Sequence, residues 1–220
     1  MSTVSVIDYG MGNLHSIAKA LQHASNGAHR VVVTHDPDQI RTASHIVFPG
    51  VGAMRDCMSL LHRLELAEVI IEVSRQKPLL GICLGMQALL QDSEENDGIT
   101  CLGILPGHVR RFSTGLTTED GIPLKIPHMG WNPVNPTHHH PLWQGIAPGS
   151  WFYFVHSYYA CPSDVADQAA TTDYPTPFTS VLAHGNLFAV QFHPEKSQSA
   201  GLRLLANFLA WDGTHAQTSS

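Results

Sequence analysis

The chain has 220 residues and a mass of 24.0 kDa, a size that suits one domain. Its 12 Lys and Arg residues stand against 18 Asp and Glu residues, and the resulting formal charge of −6 argues against a nucleic-acid-binding protein, which needs a basic surface. Charged residues make up 14% and hydrophobic residues 43%, which excludes disorder for most of the chain and predicts much buried surface.

The N-terminal segment and the cysteines indicate in which part of the cell the protein acts. No apolar run reaches the roughly 18 residues of a membrane span, and Asp8 interrupts the N-terminal apolar segment, so we expect neither a membrane span nor a secretory signal. The four cysteines have no CxxC spacing, which favours free thiols and a cytoplasmic protein. Three adjacent histidines at 138–140 are interpreted as a solvated loop, with metal binding as the alternative, and we expect no metal or cofactor.

The first half of the chain alternates between strand-like and helix-like runs. Short apolar runs at 4–8, 30–34, 45–48 and 79–82 predict strands. Helical periodicity follows Asn13, a candidate N-cap, and returns over 60–73 and from the end of the fourth strand to Leu90. This alternation predicts an α/β fold with a mostly parallel central sheet that is covered by helices on both faces.

The second half is richer in Pro and Gly and predicts a smaller antiparallel or irregular sheet portion. Residues 151–155 are predicted to form a strand, residues 178–192 a hairpin with its turn at 184–186, and residues 199–211 the last helix. No linker divides the chain, so we expect a single domain over 1–212 and a disordered tail over 213–220.

A cysteine stands where the fourth strand meets the following helix. Cys83 has Gly81 and Gly85 two residues to each side, the layout of a nucleophile elbow with sulfur in place of oxygen. Glycine is required because a Cβ at either position would strike the reversing backbone. The start of the helix favours a thiolate, and the N–H of Leu84 can serve an oxyanion hole. The alternative is a buried structural cysteine.

A histidine and a glutamate two residues apart follow the predicted hairpin. Pro194 restricts His193 to an extended conformation, so the side chains of His193 and Glu195 should point to the same side. A cysteine nucleophile needs a base, and the base needs a carboxylate that fixes its tautomer. Together with the elbow, this pair predicts a catalytic site.

A glycine-rich turn, Pro49-Gly50-Val51-Gly52, ends the third strand, where ligands of parallel sheets bind. With this turn, the segments GICLGMQ at 81–87 and FHPEKS at 192–197 make the chain similar to the class I, triad-type glutamine amidotransferases over residues 4–210. The resemblance implies their flavodoxin-like fold and glutamine hydrolysis through a γ-glutamyl thioester.

The same resemblance assigns roles to the matching residues. It implies that Cys83 is the nucleophile, His193 the base and Glu195 the third member of the triad. The oxyanion hole would use the N–H of Leu84 and one from Val51 or Gly52. The residues implied to bind glutamine are Gly50, Gly52, Gln87, Ser157 and Tyr158.

Four further segments most resemble the glutaminase subunits of imidazole glycerol phosphate synthases. They are residues 8–13, 48–53, 127–132 and 156–159. The resemblance implies a heterodimer with a (β/α)₈-barrel cyclase, which uses the ammonia to make imidazole glycerol phosphate and AICAR in histidine biosynthesis. It places Asn13, Trp131 and Lys196 at the interface; the alternative for Trp131 is a core aromatic. Because the subunit must deliver ammonia to a partner, and because glycines at 50–52 permit a peptide flip, we expect the chain alone to be a poor glutaminase.

Three other readings stay open at this point. The chain could serve another synthase, such as those that make anthranilate, aminodeoxychorismate or pyridoxal phosphate. It could be a scaffold that keeps the fold without activity, or another cysteine hydrolase such as a peptidase. The HMGWN segment at 128–132 disfavours the first and the intact triad disfavours the second. Glu195, two residues after the histidine, and Gln87 disfavour the third.

Overall fold

A computed structural model describes residues 2–115, 117 and 120–214. Within these residues the chain forms six α-helices and short 3₁₀ turns. The α-helices are α1 (Leu14–Ser25), α2 (Pro37–Thr42), α3 (Met54–Arg63), α4 (Leu66–Ser74), α5 (Leu84–Ala88) and α6 (Gln198–Ala210). The 3₁₀ turns are Glu95–Asp97, Pro141–Trp143, Val165–Asp167 and Pro194–Lys196.

The same described residues form thirteen strands. They are β1 (Ser2–Ile7), β2 (His29–Thr34), β3 (His45–Gly50), β4 (Leu79–Cys83), β5 (Asp92–Ser93), β6 (Ile99–Thr100), β7 (Gly107–Arg111), β8 (His128–Pro136), β9 (Ser150–His156), β10 (Tyr158–Pro162), β11 (Gln168–Asp173), β12 (Pro177–His184) and β13 (Leu187–Val190).

The sheet is parallel on one side and mainly antiparallel on the other. Strands β2-β1-β3-β4-β13 run parallel, and the sheet continues through β12, β10 and β7 in antiparallel pairs. A ribbon of β8 and β9 joins through β11, which pairs with β12. This confirms the predicted sheet with a parallel run and an antiparallel portion, but the antiparallel portion is not the smaller one, because eight of the thirteen described strands lie outside the parallel run. The parallel strands end together, so β3, β4 and β13 bring Gly50, Cys83 and Val190 to one edge.

Helices cover both faces because alternate residues of the buried strands point to opposite sides. Val47 faces the core that holds residues of α1 and α6, whereas Ile46 and Phe48 face the core of α2, α3 and α4. All three side chains are fully buried, which matches their continuous apolar run in the sequence.

Several local predictions are wrong in detail. The predicted helix over 60–73 is interrupted, because Glu65 adopts a left-handed φ of 56° and separates α3 from α4. Asn13 occupies the N-cap position of α1, but its side chain makes no capping hydrogen bond. Helix α5 ends at Ala88 rather than Leu90. The disordered tail predicted over 213–220 stays a prediction, because residues from 215 onward lie outside the described part of the chain.

The histidine run is not a solvated loop throughout. His138 and His139 are exposed, but His140 is buried and packs its ring against Phe188 and Trp211. Its Nδ1 accepts a hydrogen bond of 3.2 Å from the N–H of Leu142 and so caps a 3₁₀ turn.

Candidate active site

The nucleophile elbow is formed where β4 runs into α5. Cys83 has φ 54° and ψ −112°, a conformation that L residues rarely adopt and that is typical of a strained functional turn. A Cβ on Gly85 would lie 1.9 Å from the carbonyl oxygen of Phe48, so the close approach of α5 to β3 requires glycine. The physical reason differs from the predicted one, because the obstacle at 85 is the neighbouring strand and not the reversing chain. At Gly81 the nearest atom is the Cβ of Ala189, at 3.0 Å.

His193 and Glu195 form a buried pair next to this elbow. Nδ1 of His193 lies 3.0 Å from Oε1 of Glu195, and each side chain is only 3% exposed. Burial alone would lower the pKa of His193, but the hydrogen bond to Glu195 and the nearby Cys83 and Glu195 charges outweigh burial and raise it from 6.5 to about 10. The arrangement therefore favours an imidazolium with its partners, as a thiolate–imidazolium site requires.

The predicted geometry of the His–Glu pair is correct in outcome but not in cause. His193 is extended, as Pro194 requires, with φ −103° and ψ 98°. The chain then turns into the 3₁₀ helix Pro194–Lys196 instead of staying extended. This turn brings the carboxylate back to the imidazole.

The backbone of His193 is held from the β9 side. Its N–H donates to the carbonyl of Tyr153 at 2.9 Å. The hydroxyl of Ser197 donates to the carbonyl of His193 at 2.6 Å and accepts from the N–H of Tyr153 at 3.0 Å. These bonds fix the position of the base relative to the sheet edge.

A pocket of about 270 Å³ opens over Cys83. Its volume lies below the range usual for drug-sized ligands, which favours a small substrate. The lining residues are Val51, Gly52, Cys83, Leu84, Gln87, Glu95, Pro127, Val155, His156, Ser157, Tyr158 and His193. Most of the predicted site residues thus meet in one pocket.

Two of the residues predicted for catalysis or glutamine binding stand outside the pocket lining. Glu195 sits behind His193 and reaches the site through it. Gly50 leaves room for its neighbours: a Cβ there would lie 2.4 Å from the hydroxyl of Tyr9 and 3.0 Å from the N–H of Gly85. The role of Gly50 is therefore to permit close packing under the elbow.

Gln87 is tied into the protein by its own amide. Its Nε2 donates 2.9 Å hydrogen bonds to the carbonyl oxygen of Tyr158 and to Oε1 of Gln191. Both N–H groups are thereby used, so the group left to face a substrate is the acceptor oxygen Oε1.

A buried histidine pair supports the far wall of the pocket. Nδ1 of His156 lies 2.8 Å from the carbonyl oxygen of Tyr158, and Nε2 of His156 lies 3.0 Å from Nδ1 of His128. A carbonyl only accepts, so His156 carries its proton on Nδ1 and accepts from His128 on Nε2. Burial lowers the pKa of His128 to about 4 and that of His156 to about 3, which keeps both rings neutral.

Sequence reasoning missed two polar residues of the site, Glu95 and Gln191. Among the described residues that line the pocket, Glu95 carries the one carboxylate, and its Oε2 accepts from the N–H of Met54 at 2.9 Å. Gln191 donates from Nε2 to Sγ of Cys83 at 3.7 Å. No motif marks Glu95. Gln191 stands two residues before His193, a spacing that puts two side chains on the same side of an extended chain, so this signal could have found it.

The β8–β9 ribbon carries an aromatic face on its outer side. We use this name for Met129, Trp131, Trp151 and Tyr153, which stand at alternate positions of the two strands and pair across them. On β9 the residues between and after them, Phe152 and Phe154, are buried. Trp131 is 40% exposed, so the core-aromatic alternative is wrong. Lys196 lies 5.7 Å from the ring centroid of Tyr153 and so adjoins this face.

Asn13 is exposed at the start of α1. The other three cysteines, Cys57, Cys101 and Cys161, are free thiols, and burial raises the pKa of Cys57 and of Cys101 to about 12. Within the described part of the chain, no three His, Cys, Asp or Glu residues are grouped as metal ligands, and no helix is long and apolar enough to cross a membrane.

Comparison with known proteins identifies one family. The sequence model described as glutamine amidotransferase class-I matches residues 5–211. The chain is 65% identical over 215 residues to the imidazole glycerol phosphate synthase subunit HisH of Methylococcus capsulatus, covering 96% of this chain and 98% of the relative. It is 56% identical over 213 residues to the HisH subunit of Nitrosococcus oceani, covering 97% and 99%.

Solved structures agree on the fold at lower sequence identity. A crystal structure of a glutamine amidotransferase has a TM-score of 0.68 at 17% identity and covers 96% of this chain and 99% of its own. The PurLQS structure from Thermotoga maritima has a TM-score of 0.67 at 17% identity, covering 95% and 98%. These similarities concern the fold alone.

Proposed function

Because this chain belongs to the class I glutamine amidotransferases, and within them to the HisH subunits of imidazole glycerol phosphate synthase, we propose that Cys83, His193 and Glu195 are its glutaminase triad. The observation that supports this assignment best is the buried His193–Glu195 pair of 3.0 Å, which opens on the same pocket as the strained Cys83. A structural cysteine would need neither the strained elbow nor the buried base.

His193 gives up one proton when the thioester forms and takes another from water when the thioester is hydrolysed. The thiolate of Cys83 attacks the side-chain amide carbon of glutamine, and the imidazolium of His193 gives its proton to the departing nitrogen, which leaves as ammonia. His193 then takes a proton from water, the hydroxide attacks the thioester carbon, and the thiolate leaves. Glutamate is released and the ion pair is restored. Glu195 stabilises the positive form of His193 and holds its tautomer.

The negative oxygen of each tetrahedral intermediate would be held by backbone N–H groups. Leu84 is the first residue of α5, so its N–H has no partner within the helix. Val51 and Gly52 also line the pocket, and Gly52 has a positive φ of 102°. We assign the oxyanion hole to Leu84 together with Val51 or Gly52.

Glutamine recognition is assigned to the remaining lining residues. The carboxylate of Glu95 has the charge to bind the α-ammonium group, and Oε1 of Gln87 is free to accept from it. Ser157 and Tyr158 form the wall that the histidine pair supports. Gly50 contributes the close packing under this site.

The ammonia needs a partner that accepts it, because free in water it would be protonated. We propose that a (β/α)₈-barrel cyclase covers the aromatic face, with Trp131, Lys196 and Asn13 in the interface. Three members of that face are exposed, Met129 by 62%, Trp131 by 40% and Trp151 by 56%. Exposed aromatic residues next to a cation are typical of an interface. The chain would act in the cytoplasm as one half of a heterodimer in histidine biosynthesis.

A glutamine-analogue electrophile tests the triad directly. We expect a diazo-ketone analogue of glutamine to modify Cys83, with glutamine protecting it, while the half-buried Cys161 stays unmodified in the intact protein. Mass spectrometry of the cysteine peptides gives the readout, and Cys83→Ala is the control. Equal labelling of Cys83 and Cys161, or labelling that glutamine does not reduce, would contradict the assignment.

A further inference from the structure

The side chain of Gln191 is buried between the nucleophile and the substrate wall. It is 0% exposed, and its Nε2 lies 3.7 Å from Sγ of Cys83, a hydrogen-bond distance for sulfur. The parallel pairing of β13 with β4 puts Val190 beside Ile82. The residues that follow them, Gln191 and Cys83, therefore lie side by side. The N–H of Gln191 also donates to the carbonyl of Ser180 at 2.9 Å, which fixes its backbone.

The donors and acceptors around Gln191 determine which end of its side-chain amide faces Sγ of Cys83. The carbonyl of Tyr158 can only accept, so Gln87 must present its NH₂ group there. The second N–H of Gln87 then points to Gln191, which must offer its oxygen. The NH₂ group of Gln191 is therefore left for Cys83.

Neither Val155 nor His193 can replace the N–H donor of Gln191 at the sulfur throughout the reaction. The carbonyl oxygen of Val155 lies 4.0 Å from Sγ, and a carbonyl cannot donate to a thiolate. His193 must give up its proton to the leaving nitrogen during each turnover, so it cannot stabilise the sulfur throughout. The amide of Gln191 keeps its protons at all stages.

We propose that Gln191 is a further catalytic residue of this glutaminase, one that donates an N–H hydrogen bond to the thiolate of Cys83. The bond stabilises the thiolate before attack and again when the thiolate leaves the thioester. Gln191 neither gains nor loses a proton in either step. The inference rests on the proposed triad but concerns a residue outside it.

The test follows the ionisation of Cys83 separately from turnover. The rate of alkylation of Cys83 by iodoacetamide is measured against pH by mass spectrometry of its peptide, in the full chain and in Gln191→Leu. We expect the midpoint of the profile to move upward by about one pH unit, the size that a hydrogen bond to a charged group supports. The kcat/KM for glutamine should fall about tenfold. Gln168→Leu, which removes an amide bonded to Thr179, is the matched control and should change neither value.

Two further measurements test the proposal even if Gln191→Leu fails to fold. Gln191→Glu keeps the size of the side chain and can still accept from Gln87, but it places an acceptor against the sulfur, so its profile should move further upward. In the unaltered chain, the side-chain NH₂ resonances of Gln191 should shift with the same pH midpoint as the alkylation of Cys83.

The role of Gln191 would be overturned by an unchanged alkylation profile in a folded Gln191 variant. It would also be overturned if the NH₂ resonances of Gln191 did not shift at the pH midpoint of Cys83 alkylation. Neither result would touch the triad if the unaltered chain hydrolyses glutamine through Cys83. A chain with no cysteine-dependent glutaminase activity would instead overturn the proposed function.

Discussion

At the residue scale, the site depends on charges that are held out of water. His193 and Glu195 are both nearly fully buried, and a buried imidazolium persists only beside negative partners. Cys83 and Glu195 supply those partners. The state of His193 is therefore the most sensitive reporter of the triad.

Replacing Glu195 by Gln should lower the pKa of His193 from about 10, because the buried imidazolium loses one of its two partners. Carbon-13 NMR of the imidazole against pH measures the change. The turnover number should fall by about 10²-fold or more, as expected when a general acid–base loses its support. Glu72→Gln, which breaks an exposed pair with Arg41, is the matched control. An unchanged His193 titration would contradict the assignment of Glu195.

Replacing Glu95 by Gln should weaken glutamine binding by about tenfold in KM and leave kcat closer to its original value, since a half-buried charge pair is lost without touching the reacting atoms. Steady-state kinetics separate the two parameters. Asp97→Asn, at an exposed residue outside the pocket, should have no effect. A loss confined to kcat would assign Glu95 a different role.

At the element scale, the elbow and the β8–β9 ribbon hold the site in place. The close approach of α5 to β3 depends on Gly85, where a Cβ would lie 1.9 Å from a carbonyl oxygen. At Gly81 the nearest atoms would lie 3.0 to 3.2 Å from a Cβ, so a smaller shift would make room for it. We expect Gly85→Ala to lower the free energy of unfolding by about 3 kcal/mol or more and Gly81→Ala by about 1 kcal/mol. Urea unfolding of the two variants gives the comparison. The reverse order would mean that the elbow is not the tight contact.

The buried histidines of the ribbon predict a loss of stability in acid. The pKa values of His128 and His156 are lowered in the fold, so the unfolded chain binds their protons first as the pH falls below about 6.5. Between pH 7 and pH 5 the free energy of unfolding should fall by about 2 kcal/mol for each ring. The raised pKa of His193 acts in the opposite sense, since its contribution to stability is full below about pH 6.5 and is lost progressively between about pH 6.5 and pH 10.

Urea unfolding at the two pH values checks this expectation. In His128→Gln the fall should shrink by about half, because one of the two titrating rings is gone. His35→Gln, which removes an exposed ring, is the control and should leave the fall unchanged. The same fall in all three proteins would show that other groups cause it.

Much of the element order could be predicted, and the failures have physical causes. Apolar runs such as those at 45–48 and 79–82 indicate buried parallel strands directly, and both strands are fully buried. The apolar period continues through Glu65, so periodicity could not show the break between α3 and α4. His140 was missed because burial of a histidine among Phe188 and Trp211 depends on distant contacts. The triad could be predicted because its chemistry fixes residue type and spacing, whereas Glu95 depends on how a 3₁₀ turn folds over the pocket.

At the scale of the whole molecule, the chain has the features of a subunit. The base is anchored to β9, the strand that also carries Trp151 and Tyr153 of the aromatic face. Covering that face would therefore contact the segment that positions His193. The glycine turn at 50–52, with Val51 38% exposed, also lines the pocket. Because the segment that positions His193 would be covered only in the complex, we expect the chain alone to be a poor glutaminase.

The most direct measurement is glutamate release from glutamine by the purified chain, alone and with a cyclase subunit and its ribulosyl-phosphate substrate, beside Cys83→Ala. We predict a low rate for the chain alone, a rise of about 10²-fold or more with the cyclase and its substrate, as expected if one oxyanion donor becomes aligned, and no activity in Cys83→Ala. A rate that the cyclase leaves unchanged would contradict the proposed partner. Glutamate release that survives in Cys83→Ala would contradict the triad itself.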